Sequence, residues 1–179
     1  MTQLRHIVRK NLELTVYHES GHALLATILG AKVRSMTIDP DRDDGAKRSG
    51  DTQIRWPMSR MSARQLAEST VQVCLAGPVA EMVYTGEPYH PGLISEWAAD
   101  WQAAWSAAQT LHVNERQRLA SLEQVCIRLH HWLRRDEIWA ALASIADHLL
   151  AHETLEGEEI DEIVGDWQGQ RVLWTRSGR

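Results

Sequence analysis

The 179-residue sequence predicts a mainly helical (α+β) domain with a small β-sheet or hairpin in its N-terminal third. Six segments repeat apolar residues at the three-to-four-residue spacing of an α-helix. Only the region after the first of them alternates apolar and polar residues as a strand does. The hydrophobic content of 44% suits one core. We therefore expect one domain over residues 1–179, with the tail from about residue 167 left unassigned.

The first predicted helix covers residues 9–29 and ends before Gly30, because glycine readily stops a helix. Two strands are expected next, at residues 31–40 and 51–56, joined by a polar loop at 41–50. Alternation in the first strand should put Val33, Ser35 and Thr37 on one face, and Met36 and Ile38 on the other.

The rest of the chain is predicted to be helical. Ser62 is the expected N-cap of the second helix, and Gly77-Pro78 should kink or divide that helix. The remaining helices are expected at residues 95–110, 115–134, 136–152 and 157–165. A stripe of three tryptophans lies on the first of these, and we expect it to be core rather than a substrate groove: Trp97, Trp101 and Trp105.

Composition excludes several classes of protein. The net charge is −5 and no basic block is present, so nucleic acid is not an expected partner. No apolar run reaches the roughly 18 residues that span a bilayer, and the N-terminus lacks a signal-peptide core, so we expect no membrane contact. Cys74 and Cys126 lie in apolar helical segments and are interpreted as buried free thiols. The expected location is cytoplasmic.

One motif contains residues that could bind a metal ion and act as a catalytic base. His18, Glu19 and His22 form His-Glu-x-x-His within VYHESGHALLA. Positions i and i+4 of a helix share one face, so the two histidines can bind one tetrahedral zinc. Glu19 is then placed to hold and deprotonate a water molecule. The motif alone leaves open that these are two partly buried histidines.

A catalytic zinc needs a third protein ligand. The best candidate helix is 95–110, on which Glu96 and Asp100 share a stripe with Ala104 and Ala108. Small residues there would let a carboxylate approach the first helix closely.

Four stretches in the same order resemble the zinc peptidase domain of FtsH-type AAA+ proteases. They are VYHESGHALLA, VRSMTIDP with the following GDTQ, VQVCLAGPVAEMVYTGE and LLAHETLEGEEIDEIV. The resemblance implies an FtsH-like zincin fold.

The resemblance also implies a third ligand, an aspartate at a helix start followed by alanines at +4 and +8. Asp100 matches that spacing and is preferred. In the family a Gly-Ala pair precedes this aspartate, and in this chain the longer stretch PYHPGLISEWAAD replaces the pair. If Gly92 is aligned with that family glycine, Glu96 takes the ligand position instead and is the alternative ligand. Pro78 and Met82 replace a family arginine and glutamate, while Glu81 remains and is expected to be structural.

The function implied is a zinc-dependent endopeptidase (an Asp-zincin) that cleaves unfolded or flexible peptides. Its substrate would add to the strand at Asp51, Thr52 and Gln53. The family carries an ATPase module and membrane helices ahead of this domain, and this sequence begins about where the peptidase domain begins. We therefore expect no motor in this chain, a separate ATPase or adaptor as a candidate partner, and a monomer or small homo-oligomer. The alternative is a catalytically weak zinc-binding regulatory or interaction module.

Overall fold

The computed structural model describes residues 2–38 and 50–167. The predicted polar loop at 41–50 falls, up to residue 49, outside the described residues, as does the unassigned tail from residue 168. The helices are α1 (Thr2–Ile28), α2 (Ala63–Thr85), α3 (Ala98–Ala108), α4 (Glu115–Leu133), α5 (Asp136–His152) and α6 (Gly157–Gly165). The strands are β1 (Lys32–Thr37), β2 (Asp51–Arg55) and β3 (Thr154–Glu156). The prediction of a mainly helical fold with a small sheet is confirmed. Each helix in the described residues is too short or too polar to cross a membrane.

The sheet is antiparallel with strand order β2-β1-β3. Its third strand was not predicted: β3 lies within LLAHETLEGEEIDEIV, between the helices expected at residues 136–152 and 157–165. The predicted alternation in β1 is also wrong, because Val33 and Met36 are both buried. Register with β2 shifts between Val33 and Ser35, which leaves Arg34 as an extra residue. An extra residue of this kind moves the following side chains to the opposite face.

Glu153 joins the end of α5 to this sheet. It has the positive φ of 61° that closes a helix in the left-handed conformation. Its carbonyl oxygen accepts the backbone N–H of Ile38 at 2.9 Å and the hydroxyl of Thr37 at 3.2 Å. These bonds position β3 beside β1.

Helix α2 begins as predicted at Ser62, whose hydroxyl accepts the N–H of Gln65 while the Gln65 side chain accepts the N–H of Ser62. The helix then continues unbroken past Pro78, so the predicted division at this point does not occur. Tertiary packing explains the continuity, since α2 is buried along Leu75–Met82 and held between α1 and α3.

Helices α1 and α2 cross closely at Gly21. A Cβ atom at Gly21 would lie 2.6 Å from the carbonyl oxygen of Ala76 and 2.8 Å from the Cβ atom of Ala80. No side chain larger than hydrogen fits there without displacing a helix. The face of α1 that carries His18 and His22 therefore lies directly against α2.

The other helices complete one connected hydrophobic core. The fully buried residues include Leu24 from α1, Leu75 from α2, Leu129 from α4 and Leu149 from α5. The two cysteines are free thiols, as predicted, and each is half-buried.

The three tryptophans of the predicted stripe differ in their burial. Trp97 is 5% exposed and part of the core, whereas Trp101 and Trp105 are half-buried and line a surface cavity of about 530 Å³.

Candidate metal centre

Three side chains from two distant parts of the chain meet at the α1–α2 crossing. The Nε2 atoms of His18 and His22 are 3.0 Å apart. Asp100, in the first turn of α3, places Oδ2 3.0 Å from His18 Nε2 and Oδ1 3.4 Å from His22 Nε2. The structure thus brings together the two predicted histidine ligands and the preferred third ligand.

The spacing of these atoms fits a tetrahedral zinc. Zinc–nitrogen and zinc–oxygen bonds of about 2.0–2.1 Å at the tetrahedral angle place neighbouring ligand atoms about 3.3 Å apart. The observed separations of 3.0–3.4 Å bracket that value. One ligand atom from each of His18, His22 and Asp100 lies within 4.8 Å of the other two. Two imidazoles and one carboxylate are also a usual ligand set for catalytic zinc.

Both histidines are held through their other ring nitrogen. His18 Nδ1 donates to Oε1 of Glu81 at 2.7 Å, and His22 Nδ1 donates to the carbonyl oxygen of Val73 at 2.7 Å. A carbonyl oxygen can only accept, so the neutral tautomer of His22 carries its proton on Nδ1. The lone pairs of both Nε2 atoms are then directed at the common centre, which is how metal-binding histidines are usually prepared.

The electrostatic field around the histidines favours a cation. Burial lowers the pKa of His18, but hydrogen bonds to Asp100 and Glu81 and the nearby charge of Glu19 outweigh burial and raise it to about 10. Burial raises the pKa of Asp100, but hydrogen bonds from both histidines outweigh it and hold that pKa well below its usual range. The same negative potential that retains a proton here would attract a metal dication.

Gly77 makes room for this arrangement. A Cβ atom at Gly77 would overlap the imidazole of His22 and lie 2.8 Å from Nε2 of His18. Any side chain here would occupy the face of α2 that the two rings need. The sequence predicts a kink or a division at Gly77-Pro78, and it does not predict this close approach of Gly77 to the histidines.

Glu19 is buried beside the histidines at 6% exposure. The hydroxyl of Thr52 on β2 donates to its Oε2 atom at 2.6 Å. Gly50 packs against the same carboxylate so closely that a Cβ atom at this position would overlap it. The strand start therefore holds Glu19 in one orientation, with its charge at the cavity wall.

The ligand group opens into a cavity of about 360 Å³ between α1, α2, α3 and β2. Asp51 and Thr52 of the predicted substrate strand line it. Gln53 is exposed, and its amide donates to Asp51 at 3.4 Å. Glu96 also lines the cavity, but it is exposed and accepts the Ser95 hydroxyl at 2.8 Å, outside the three-ligand group. The geometry favours Asp100 over Glu96 as the third ligand.

The sequence did not indicate three groups that hold the two histidines in place, either directly or through another side chain. Glu81 was expected to be structural, and what the sequence did not indicate is its partner, His18, which its carboxylate holds. Trp97 was assigned to the core, yet its indole reaches the same carboxylate. The carbonyl oxygen of Val73, which accepts from His22, belongs to the backbone, so no residue type in the sequence could have indicated it. For Glu81 a signal did exist, since a buried carboxylate on an apolar helix requires a donor.

Three side chains that could hold one metal ion thus lie beside the buried carboxylate of Glu19 and beside β2, which is an edge strand among the described residues. No protein-family model matches the chain. The chain is similar to the ATP-dependent zinc metalloprotease FTSH 9, chloroplastic/mitochondrial, of Oryza sativa subsp. japonica, at 27% identity over an alignment of 194 residues. That alignment covers 96% of this chain and 24% of the relative, so the chain spans about a quarter of the relative's length. The similarity supports a distant relationship to the FtsH family of proteases.

Proposed function

We propose that this chain is a zinc-dependent endopeptidase that cleaves unfolded or flexible peptides. The observation that carries the proposal is the convergence of His18, His22 and Asp100 within 4.8 Å at the wall of a cavity that also holds Glu19. The similarity to a zinc metalloprotease over 96% of the chain supports it independently.

Each residue has a defined part in this proposal. His18, His22 and Asp100 hold zinc, which when bound supplies a Lewis acid that polarises the scissile carbonyl and activates water. The carboxylate of Glu19 takes a proton from the attacking water and returns it to the leaving amine. Thr52 keeps that carboxylate in place through the 2.6 Å hydrogen bond to Oε2.

The substrate would bind along β2. Among the described residues this strand is at the edge of the sheet, and Gly50, Asp51, Thr52 and Ile54 border the cavity. An extended peptide can add to such an edge through backbone hydrogen bonds, with little demand on its sequence. Only an unfolded segment can adopt that conformation, so the substrate class is unfolded or flexible polypeptide. We expect folded substrates to require a separate ATPase or adaptor.

The decisive experiment replaces the base and keeps the ligands. Glu19→Gln should reduce hydrolysis of an unstructured casein-type substrate by about 10²–10⁴-fold, while one zinc per chain remains bound. Glu68→Gln, a change at a partly exposed α2 residue that pairs with Arg64 and lies outside the cavity lining, serves as the control and should leave hydrolysis intact. Wild-type activity in Glu19→Gln, or wild-type hydrolysis that persists after chelation, would overturn the proposal.

A zinc-binding module with little turnover is the second candidate. It rests on the same three side chains, His18, His22 and Asp100, which could hold zinc whether or not a peptide is cleaved. The two candidates differ in one measurement. A module would bind zinc and lose stability on chelation, yet would leave unstructured substrate intact whether or not chelator is present.

A further inference from the structure

Trp97 lies directly before the helix that carries the third ligand. It is the last residue of a 3-10 turn, Ser95–Trp97, and α3 begins at the next residue. Its indole N–H donates to Oε1 of Glu81 at 2.7 Å. The same oxygen accepts Nδ1–H of His18 at 2.7 Å. One carboxylate oxygen therefore receives hydrogen bonds from both sides of the site.

This shared oxygen joins three helices. His18 comes from α1, Glu81 from α2, and Trp97 enters α3 three residues ahead of Asp100. A helix is stiff over one turn, so the position of Trp97 constrains the position of Asp100. A buried carboxylate also needs its hydrogen-bond donors in order to stay in one conformation. The indole thus restrains His18 through Glu81, and Asp100 through the chain.

Trp97 differs from the other tryptophans of its stripe. It is 5% exposed, whereas Trp101 and Trp105 are half-buried. The ring of Trp101 packs against His90, and that of Trp105 lies under the guanidinium of Arg118 at 4.8 Å. The contacts of those two rings lie away from the three-ligand group. For Trp97 the N–H is engaged with the metal centre.

We propose that Trp97 is a positioning residue of the metal centre, which raises zinc affinity by fixing the Glu81–His18 pair and the start of α3. The inference rests on the proposed function in taking zinc as the metal. It assigns to Trp97 no contact with substrate. It also gives a role to the segment PYHPGLISEWAAD, at which this sequence departs from the FtsH pattern.

Zinc affinity measured by competition with a chromophoric chelator tests this. Trp97→Phe keeps most of the ring volume and removes the N–H. It should weaken zinc binding about 10–100-fold, the range found when outer partners of metal ligands are removed. Trp105→Phe makes the same chemical change within α3, at a ring that packs against Arg118, and should leave the affinity unchanged. Equal affinities for wild type and Trp97→Phe would overturn the proposal.

A double-mutant cycle tests whether Trp97 acts through Glu81. In the Glu81→Ala background the indole has lost this acceptor, so Trp97→Phe should cause little further loss of affinity. The same 10–100-fold loss in both backgrounds would mean that Trp97 acts by another route, and would contradict the proposal.

A measurement on the wild type covers the case in which Trp97→Phe does not fold. The indole N–H resonance of Trp97 should shift on zinc addition, while that of Trp105 stays in place. A Trp97 resonance unmoved at saturating zinc overturns the inference and leaves the proposed function intact. Wild-type protein that binds no zinc would instead overturn the proposed function, and this inference with it.

Discussion

The Nε2 atoms of His18 and His22 lie 3.0 Å apart, with both Nδ1 atoms engaged elsewhere. Two imidazole lone pairs at this distance repel each other unless a proton or a cation lies between them. Asp100 supplies the negative charge on the third side. The cluster is therefore built around a positive charge.

Asp100 and Glu96 can be separated as ligands by paired substitutions. Asp100→Ala should weaken zinc binding by more than about 100-fold, because removing even an outer partner costs 10–100-fold. Glu96→Ala should have little effect on affinity, since Glu96 is exposed and outside the three-ligand group. Chelator competition measures both. If Glu96→Ala loses the metal and Asp100→Ala keeps it, the ligand assignment is reversed.

Gly77→Ala should lower zinc affinity roughly tenfold or more. The added methyl group overlaps the His22 ring, and an overpacked site of this kind costs about 1–3 kcal/mol. Gly30→Ala is the matched control, since Gly30 has φ of 86° and open space around it. That variant should lose about 1–2 kcal/mol of stability through backbone strain while keeping its zinc affinity. Unchanged zinc binding in Gly77→Ala would show that α2 can yield at this point.

Thr52→Val tests the orientation of the base. The substitution keeps the shape of the side chain and removes the hydroxyl that donates to Glu19. A hydrogen bond to a charged group contributes about 1.5–3 kcal/mol, so hydrolysis should fall roughly 10–100-fold with zinc content unchanged. Gln53→Ala, one residue along the same strand, should change hydrolysis far less, because a peptide adds to the strand through its backbone and the Gln53 side chain does not line the cavity. Equal losses in the two variants would indicate damage to the strand rather than to Glu19.

Both cysteines should resist alkylation in the native protein. Burial, with a smaller contribution from a nearby carboxylate in each case, raises the pKa of Cys74 and of Cys126 to about 12. The reactive form is the thiolate, which is scarce at pH 8 when the pKa lies this high. Iodoacetamide labelling followed by mass spectrometry should find both thiols protected in native protein and labelled in urea. Rapid labelling of Cys126 in native protein would contradict the pKa assigned to it.

Sequence reasoning succeeded where the relevant residues are close in the chain. His18, Glu19 and His22 share a helical turn, so their common face follows from helix geometry. The Ser62 cap and the end of α6 at Gly165 were also predicted correctly from local signals. The bulge at Arg34 and strand β3 were not, because strand register and pairing depend on partners far away in the sequence.

By itself, the sequence determined the helical periodicity, the two histidines with their glutamate, and a short set of carboxylates that could complete the site. The tertiary structure decided which carboxylate reaches the histidines, and that Glu81, Gly77 and Trp97 belong to the site. The physical reason is that a metal centre is defined by distances of 3–4 Å between residues from different helices. Those distances are set by how closely α1, α2 and α3 pack, and no local pattern in the chain encodes that packing.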